Sequence, residues 1–287
     1  MGHDSQPCLA SGGTSQAASR NWFTTMALKS SAALHICSVL LIVLFPGYWE
    51  WALGIIFSNY LLLTAGVMQP RSRLLGPNMI RLPGEAALRR EISLTFDDGP
   101  DPDITPLILD QLDQFGAKAS FFCIASKVST YPELAREIVK RGHSLENHTY
   151  RHPYTFAFFW PCAITREINR AQDVIFSVTG ITPGFFRAPM GFRPPFLAPA
   201  LVRTGLCHVA WTRRGFDTFA NEHEPVLYKL LKGIAPGDIL LLHDGRPNRP
   251  IKNPHVILNV LPHLLEYLKK HNLKSVSLPA ACSQAKS

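Results

Sequence analysis

Asp97 and Asp98 stand side by side where the apolar run Ser93-Leu94-Thr95-Phe96 stops at Gly99-Pro100. Thr95 and Phe96 read as the end of a buried strand and Gly99-Pro100 as a forced turn. Both carboxylates therefore project from the strand's carboxyl end into solvent or a cleft. Adjacent carboxylates repel unless a cation lies between them or they take different jobs. The same Asp-Asp-Gly-Pro is also ordinary turn chemistry. His148 and His152 follow a candidate strand that ends at Asn147. On one helical turn their spacing puts both rings on one face, able to grip a single ion. Such pairs recur by chance, but Asp98 can add an oxygen ligand and complete a His-His-Asp set that leaves positions open for water and substrate. Zinc is the default ion for that set, and cobalt, nickel or manganese would also be accepted. Arg187, at a strand end before Pro189 and Gly191, can pair with a carboxylate and keep it ionised, as a general base requires, or can be a surface arginine at a turn. His243, which follows the apolar run Ile239 to Leu242, suits a general acid at neutral pH or a satisfied structural histidine.

These groups need rigid elements beneath them, and from about Arg90 short apolar strands alternate with amphipathic helices, the pattern of an α/β domain with parallel strands. Strands are predicted at Ile92 to Phe96, Ala119 to Ile124, His143 to Asn147, Phe185 to Arg187, Cys207 to Trp211, Ile239 to His243 and Ser275 to Leu278. Helices are predicted between them. Pro132 to Arg141 carries Leu134, Ile138 and Val139 on one face and stops at Gly142, and Ala163 to Thr179 closes at Gly180. Strands and helices alternating in one run of about 190 residues suit a barrel better than an open sheet.

The first third of the chain is different in kind. Of 287 residues, 46% are hydrophobic, and the mean hydropathy of +0.05 is high for a purely soluble protein. The excess lies in residues 30–68, where Glu50 is the only formal charge. Ser30 to Phe45 and Trp51 to Met68 would each rise about 24 to 27 Å as helices, slightly under a hydrocarbon core of about 30 Å. Tyr48, Trp49 and Trp51 cluster at the turn between them, as headgroup-level anchors do. A transmembrane helical hairpin over 30–68 is the reading, with a signal peptide and a buried helical pair as the alternatives. Arg20 and Lys29 precede it and Arg71, Arg73 and Arg81 follow, which places both flanks on the cytoplasmic side. Residues 1–29 are expected to be disordered and 69–89 to be a linker. The six cysteines show no metal-type or disulfide-framework spacing and read as isolated thiols. The net charge of +8 is not gathered into a long basic run, so nucleic acid is not implied.

In order and rough spacing, Thr95 to Pro100, the His148/His152 pair, Arg187 to Gly191, Asp217 and Leu241-x-His243 resemble the motifs of the polysaccharide deacetylase (NodB-homology) family, carbohydrate esterase family 4. The resemblance covers residues 90–280. It implies a distorted (β/α) barrel and a metal-dependent hydrolase that removes an N-acyl group, acetyl by expectation, from a sugar of a polysaccharide or lipid-linked glycan. It further implies that Asp97 is the catalytic base and that Asp98, His148 and His152 hold the metal. Arg187 would orient Asp97, Asp217 would tune His243, and His243 would be the acid. Leu241 would line the acetyl pocket, and the main-chain N–H of Met190 would help form the oxyanion hole.

The departures from the family pattern are Met190 where an aromatic residue is common, Thr218 where tryptophan usually follows the aspartate, Arg214 where an acidic residue is frequent, and Glu146 where glycine is frequent. They are expected around the substrate groove. With the hairpin, the expectation is an integral protein of a bacterial inner membrane with the catalytic domain on the cytoplasmic side. A deformylase or deacylase of a lipid-linked sugar at that face, and a catalytically silent membrane-tethered carbohydrate-binding protein, are the other readings. His143, His208, His223, His255, His263 and His271 match no motif and are read as structural or exposed.

Overall fold

Glu91–Asp97 forms β1, a strand buried along its whole length, in a computed structural model that describes residues 25–247 and 253–283. It is flanked by β2 (Ala119–Cys123) and β7 (Ile239–His243), and the sheet continues through β3 (Ser144–Asn147) and β4 (Phe185–Phe186) to β5 (Cys207–His208). On the other side β7 pairs with β6 (Arg213–Arg214), while β8 (Lys274–Ser275) pairs with β1, and every pairing is parallel. Parallel strands covered on both faces read as near-continuous apolar runs, which is why Ile239 to Leu242 and the segment around Phe121 were visible in the sequence. On β1, Ile92, Leu94 and Phe96 face outward onto helices that contribute Ile108, Leu112, Val260 and Leu264. Alternation then places Ser93, Thr95 and Asp97 on the inner face.

The sheet curls without closing. Its edge strands β5 and β6 are not paired with each other, and residues 78–82 run along the gap. Met79 bridges Val209, Arg81 bridges Asp238, and the Leu82 N–H donates to the Gly237 carbonyl at 2.9 Å. The stretch 69–89, expected as a linker, is accordingly packed, with Leu75, Met79, Leu82 and Ala86 buried and a short helix at Gly84–Leu88.

Two apolar helices precede this domain, α1 (Met26–Leu44) and α2 (Trp49–Met68), joined by a short 3-10 turn at Pro46–Tyr48. Both are long and apolar enough to span a membrane. Val39, Val43, Phe57, Leu61 and Leu62 are exposed, so the helices are not a buried core pair. Inside the hairpin Asn59 Nδ2 donates to Ser31 Oγ at 2.8 Å. The hairpin begins four residues before the expected boundary, because Thr25 caps α1 by accepting from the Leu28 N–H. Expected disorder over 1–29 fails for residues 25–29, and residues 1–24 lie outside the described residues.

Several strands are shorter than predicted. Beyond His208 the chain bonds to Met79 rather than extending β5, with the Ala210 N–H donating to the Met79 carbonyl at 2.8 Å. Leu278 opens a terminal helix, Leu278–Ser283, instead of ending a strand. The strand β6 has no apolar signal and was not expected. Cys37, Cys123, Cys162 and Cys282 are free thiols, but Cys207 is disulfide-bonded, which corrects the reading of six isolated thiols. Cys8 lies outside the described residues.

Candidate active site

Every proposed functional strand end meets at the carboxyl edge of the sheet. The register puts Asp97 beside His243 on one side and Phe122 on the other. Asp98 leaves β1 with φ of 75°, a left-handed conformation that a non-glycine residue adopts only when its surroundings fix it. Here they do: the Asp98 N–H donates to the Phe122 carbonyl at 3.2 Å and Lys127 Nζ donates to the Asp98 carbonyl at 2.7 Å. Gly99 follows, with a cis peptide to Pro100. A Cβ at Gly99 would overlap the buried Asp244 carboxylate, which accepts from Thr105 Oγ1 at 2.7 Å.

His148 and His152 do not lie on a helical turn, as their spacing predicted. They occupy a loop in which Thr149 and His152 have φ of 65° and 51°. Asn147 Oδ1 accepts from the Thr149 N–H at 2.9 Å. Glu167 Oε2 accepts from the N–H groups of Tyr150 and Arg151 at 3.1 and 3.0 Å. That loop brings both rings to Asp98, with His148 Nε2 at 3.3 Å and His152 Nε2 at 3.4 Å from its Oδ1. The His148 Nδ1–H donates to the Arg187 carbonyl at 2.9 Å, which fixes the tautomer and leaves Nε2 free as a ligand.

One ligand atom from each of Asp98, His148 and His152 falls within 4.8 Å of the others, and all three residues are buried. Asp98 Oδ1 is buried without a hydrogen-bond partner among the described residues. An orphaned carboxylate oxygen set against two imidazole nitrogens is costly unless a cation completes it, so these residues fit a divalent metal. Burial opposes the charge on Asp98, but the His148 and His152 imidazoles hold its carboxyl well below the usual range. Burial pushes His152 down to about 4, the neutral form a metal ligand needs. His148 is also buried, yet the Asp97 and Asp98 carboxylates raise it.

Asp97 is held from behind. Arg187 Nη1 donates to its Oδ1 at 2.6 Å and to Thr95 Oγ1 at 2.8 Å. The remaining guanidinium donors reach the carbonyls of Val209 and Ala210 at 3.2 and 3.1 Å. The other Asp97 oxygen, Oδ2, lies 3.9 Å from His148 Nε2. Across the cleft, His243 Nδ1 donates to Asp217 Oδ1 at 2.9 Å while the His243 N–H donates to Asp217 Oδ2 at 2.8 Å. Burial works against charge on this imidazole, but Asp217 outweighs it and raises the pKa to about 9. Met190 has φ of 58°, and its side chain is exposed while Leu241 is buried.

Asp97, Asp98, His148, His152, Met190, Leu241 and His243 thus line one cleft of about 940 Å³. Arg187 and Asp217 stand buried behind its wall. Arg214 and Thr218 also line it. Glu146 does not: it points into the sheet, where it accepts from the N–H groups of Gly184 and Phe185 at 3.1 and 2.9 Å, and burial raises it to about 7. Thr95, Lys127, Asn147, Glu167 and Asp244 support the site, and none was assigned a role there from the sequence, Thr95 and Asn147 being read only as strand ends and Thr95 as the start of the first motif. Only Thr95 had a signal, since it shares the inward face of β1 with Asp97. Among the unmatched histidines, His143 and His208 are buried, His263 and His271 are exposed, and the side chain of His255 lies outside the described residues.

The family described as polysaccharide deacetylase matches residues 85–207. A chitooligosaccharide deacetylase of Bradyrhizobium sp. is 36% identical over 165 residues, covering 57% of this chain and 75% of the relative. A crystal structure of a peptidoglycan N-acetylglucosamine deacetylase superposes with a TM-score of 0.65 at 26% identity, covering 71% of this chain and 92% of that one. A family 4 acetyl xylan esterase from Clostridium thermocellum, solved with a cobalt ion, gives a TM-score of 0.59 at 29% identity, covering 68% of this chain and 91% of that one.

Proposed function

The chain belongs to the polysaccharide deacetylase family, and on that premise we propose that it is a metal-dependent hydrolase removing an N-acyl group, acetyl by preference, from a sugar of a polysaccharide or lipid-linked glycan. One observation carries the reading. Two adjacent carboxylates are divided by their partners, Asp98 toward the two imidazoles and Asp97 toward Arg187.

In this reading Asp98, His148 and His152 hold the cation, zinc by default, with cobalt, nickel or manganese also accepted by such a set. When bound, the cation would polarise the acyl carbonyl and favour loss of a proton from water. Asp97 accepts that proton through the oxygen that Arg187 leaves free. The Met190 N–H stabilises the negative oxygen of the tetrahedral intermediate. His243, charged at neutral pH and fixed at Nδ1 by Asp217, gives a proton from Nε2 to the departing nitrogen as the C–N bond breaks. Leu241 shapes the apolar wall where the acyl methyl sits.

The chain divides in this reading as an N-terminal segment, the hairpin, which begins at Met26 rather than at residue 30 and ends at Met68, a connecting stretch at 69–89 and the catalytic domain at 90–280. The hairpin carries the protein into a membrane. Basic flanks favour the cytoplasmic face for the catalytic domain. The disulfide at Cys207 favours the opposite face as a second reading, because disulfides persist in oxidising compartments. A carboxyl-terminal reporter fusion that is active only outside the cytoplasm selects the second.

The activity is tested by acyl release from a panel of acylated sugars and glycolipids. Release is expected from the zinc-loaded protein, lost on chelation and restored by zinc. Bound metal with no release from any acylated sugar would leave a membrane-tethered carbohydrate-binding protein instead.

A further inference from the structure

The helix α2 ends in the catalytic cleft. Its last residue is Met68, and both Met68 and Arg71 line the space that holds Asp97 and His148. The junction is fixed rather than hinged. The Arg193 N–H donates to the Val67 carbonyl at 3.1 Å. The buried Arg193 guanidinium donates to the carbonyls of Gly76 and Pro77 at 3.2 and 3.1 Å, and to that of Ser72. Pro70 packs on Gly191, where an added Cβ would lie 3.0 Å from its ring. Tyr48, Trp49 and Trp51 mark one end of the hairpin, so the opposite lipid boundary falls where α2 ends, level with the mouth of the cleft.

A second observation concerns charge. Arg71, Arg214 and Arg246 line the same cleft. Among the described residues, none of the three forms an ion pair, unlike Arg81, Arg89, Arg136, Arg141, Arg187 and Arg213. The guanidinium of Arg214 lies 5.5 Å from the Trp211 ring and 4.8 Å from that of Phe216, and its Nε is buried with no hydrogen-bond partner. Guanidiniums without a carboxylate partner, backed by aromatic faces at Arg214 and, at 5.8 Å from Phe219, at Arg246, are suited to planar bidentate recognition of phosphate.

We infer that the substrate is an N-acylated sugar joined through phosphate to a membrane lipid, with the sugar at Asp97, the phosphate on Arg71, Arg214 and Arg246, and the lipid chain running back along α2 into the bilayer. This deepens the deacylase reading of the cleft and rests on it. A soluble anionic polymer would meet the same guanidiniums, but it would make no use of an apolar helix end built into the cleft wall.

The test uses the full chain in lipid nanodiscs with three probes: an N-acetylhexosamine linked through phosphate to a polyprenyl chain, the same sugar phosphate without lipid, and a neutral N-acetylglucosamine oligomer. The lipid probe should give a kcat/KM at least about a hundredfold above the others, because confinement to the bilayer raises effective concentration. The double variant Arg71→Gln, Arg214→Gln should raise KM for the lipid probe about tenfold through lost charge-assisted hydrogen bonds, a larger rise than for the neutral oligomer. Equal or better use of the neutral oligomer, or equal losses on both probes, would overturn the inference and leave the deacylase reading intact. Equal use of the lipid-free sugar phosphate would overturn its lipid part. Binding of the lipid probe is measured separately on Asp97→Asn. Binding without acyl release from any probe by the native chain would overturn the deacylase reading alone, and absence of both would overturn both.

Discussion

The two ends of the parallel strands carry the same kinds of side chain and use them in opposite ways. At the amino end of β7, the buried Asp238 lies between two arginines, its Oδ1 2.9 Å from Arg81 and its Oδ2 accepting from Arg213 at 2.5 Å and from the Ala235 N–H at 3.0 Å. At the carboxyl end of β1, Asp97 gives one oxygen to Arg187 at 2.6 Å and keeps the other 3.9 Å from His148 Nε2, toward the cleft. The histidines divide likewise. His143, just before β3, accepts from the Ala119 N–H at 3.2 Å and is pushed down to about 4 by burial and by Lys118. His243, at the end of β7, is raised to about 9 because Asp217 outweighs its burial. The amino-end groups are buried away from the cleft and hold the fold, while a group fixed on one side and facing the cleft on the other can exchange a proton.

Substituting matched residues at the two ends should separate catalysis from stability. The largest effect is expected for Asp97→Asn, which should lower kcat by about a thousandfold, the order of a lost general base, and cost about 2 kcal/mol because the buried Arg187 guanidinium loses its charged acceptor. Asp238→Asn should cost a similar amount, about 2 kcal/mol, from weakened charged hydrogen bonds while kcat stays near native. Arg187→Met should lower both, since it leaves a buried carboxylate unpaired at a cost of about 3 kcal/mol. Activity and urea unfolding measured on the same preparations would show whether the effects separate.

Smaller effects concern pH. Asp217→Asn removes the charge that holds His243 protonated, so the alkaline limb of the kcat/KM profile should move to lower pH. An unmoved limb would remove His243 as the acid. At the other end, the depressed pKa of His143 means that the unfolded chain takes up its proton first as pH falls. The contribution of neutral His143 is therefore complete above its ordinary pKa of 6.5 and is lost as pH falls toward about 4. In His143→Gln the fall in melting temperature across that window should be shallower.

How far the sequence revealed this molecule depended on the kind of signal. Doubly covered strands such as Ile239 to Leu242 were legible because burial on both faces demands uninterrupted apolar residues. The strand Arg213–Arg214 was not, being two charged residues paired to β7 by backbone alone. The cleft residues were legible as types at strand ends. Their supports were not, because Glu167 and Lys127 act on backbone groups of distant loops, and no local periodicity encodes such contacts. The expected helical turn for His148 and His152 failed for the same reason: Asn147, Thr149 and Glu167 capture the loop N–H groups that a helix would have used. Packing of residues 69–89 was hidden because a stretch filling the gap in a curled sheet has neither strand nor helix spacing.

The division of labour between the two adjacent carboxylates is tested most directly by measuring bound-metal stoichiometry on Asp97→Asn and Asp98→Asn side by side, together with acyl release. Both variants should lose turnover, but Asp97→Asn should keep the metal at the native ratio while Asp98→Asn loses it. Loss of metal from Asp97→Asn, or its retention by Asp98→Asn, would contradict the assignment.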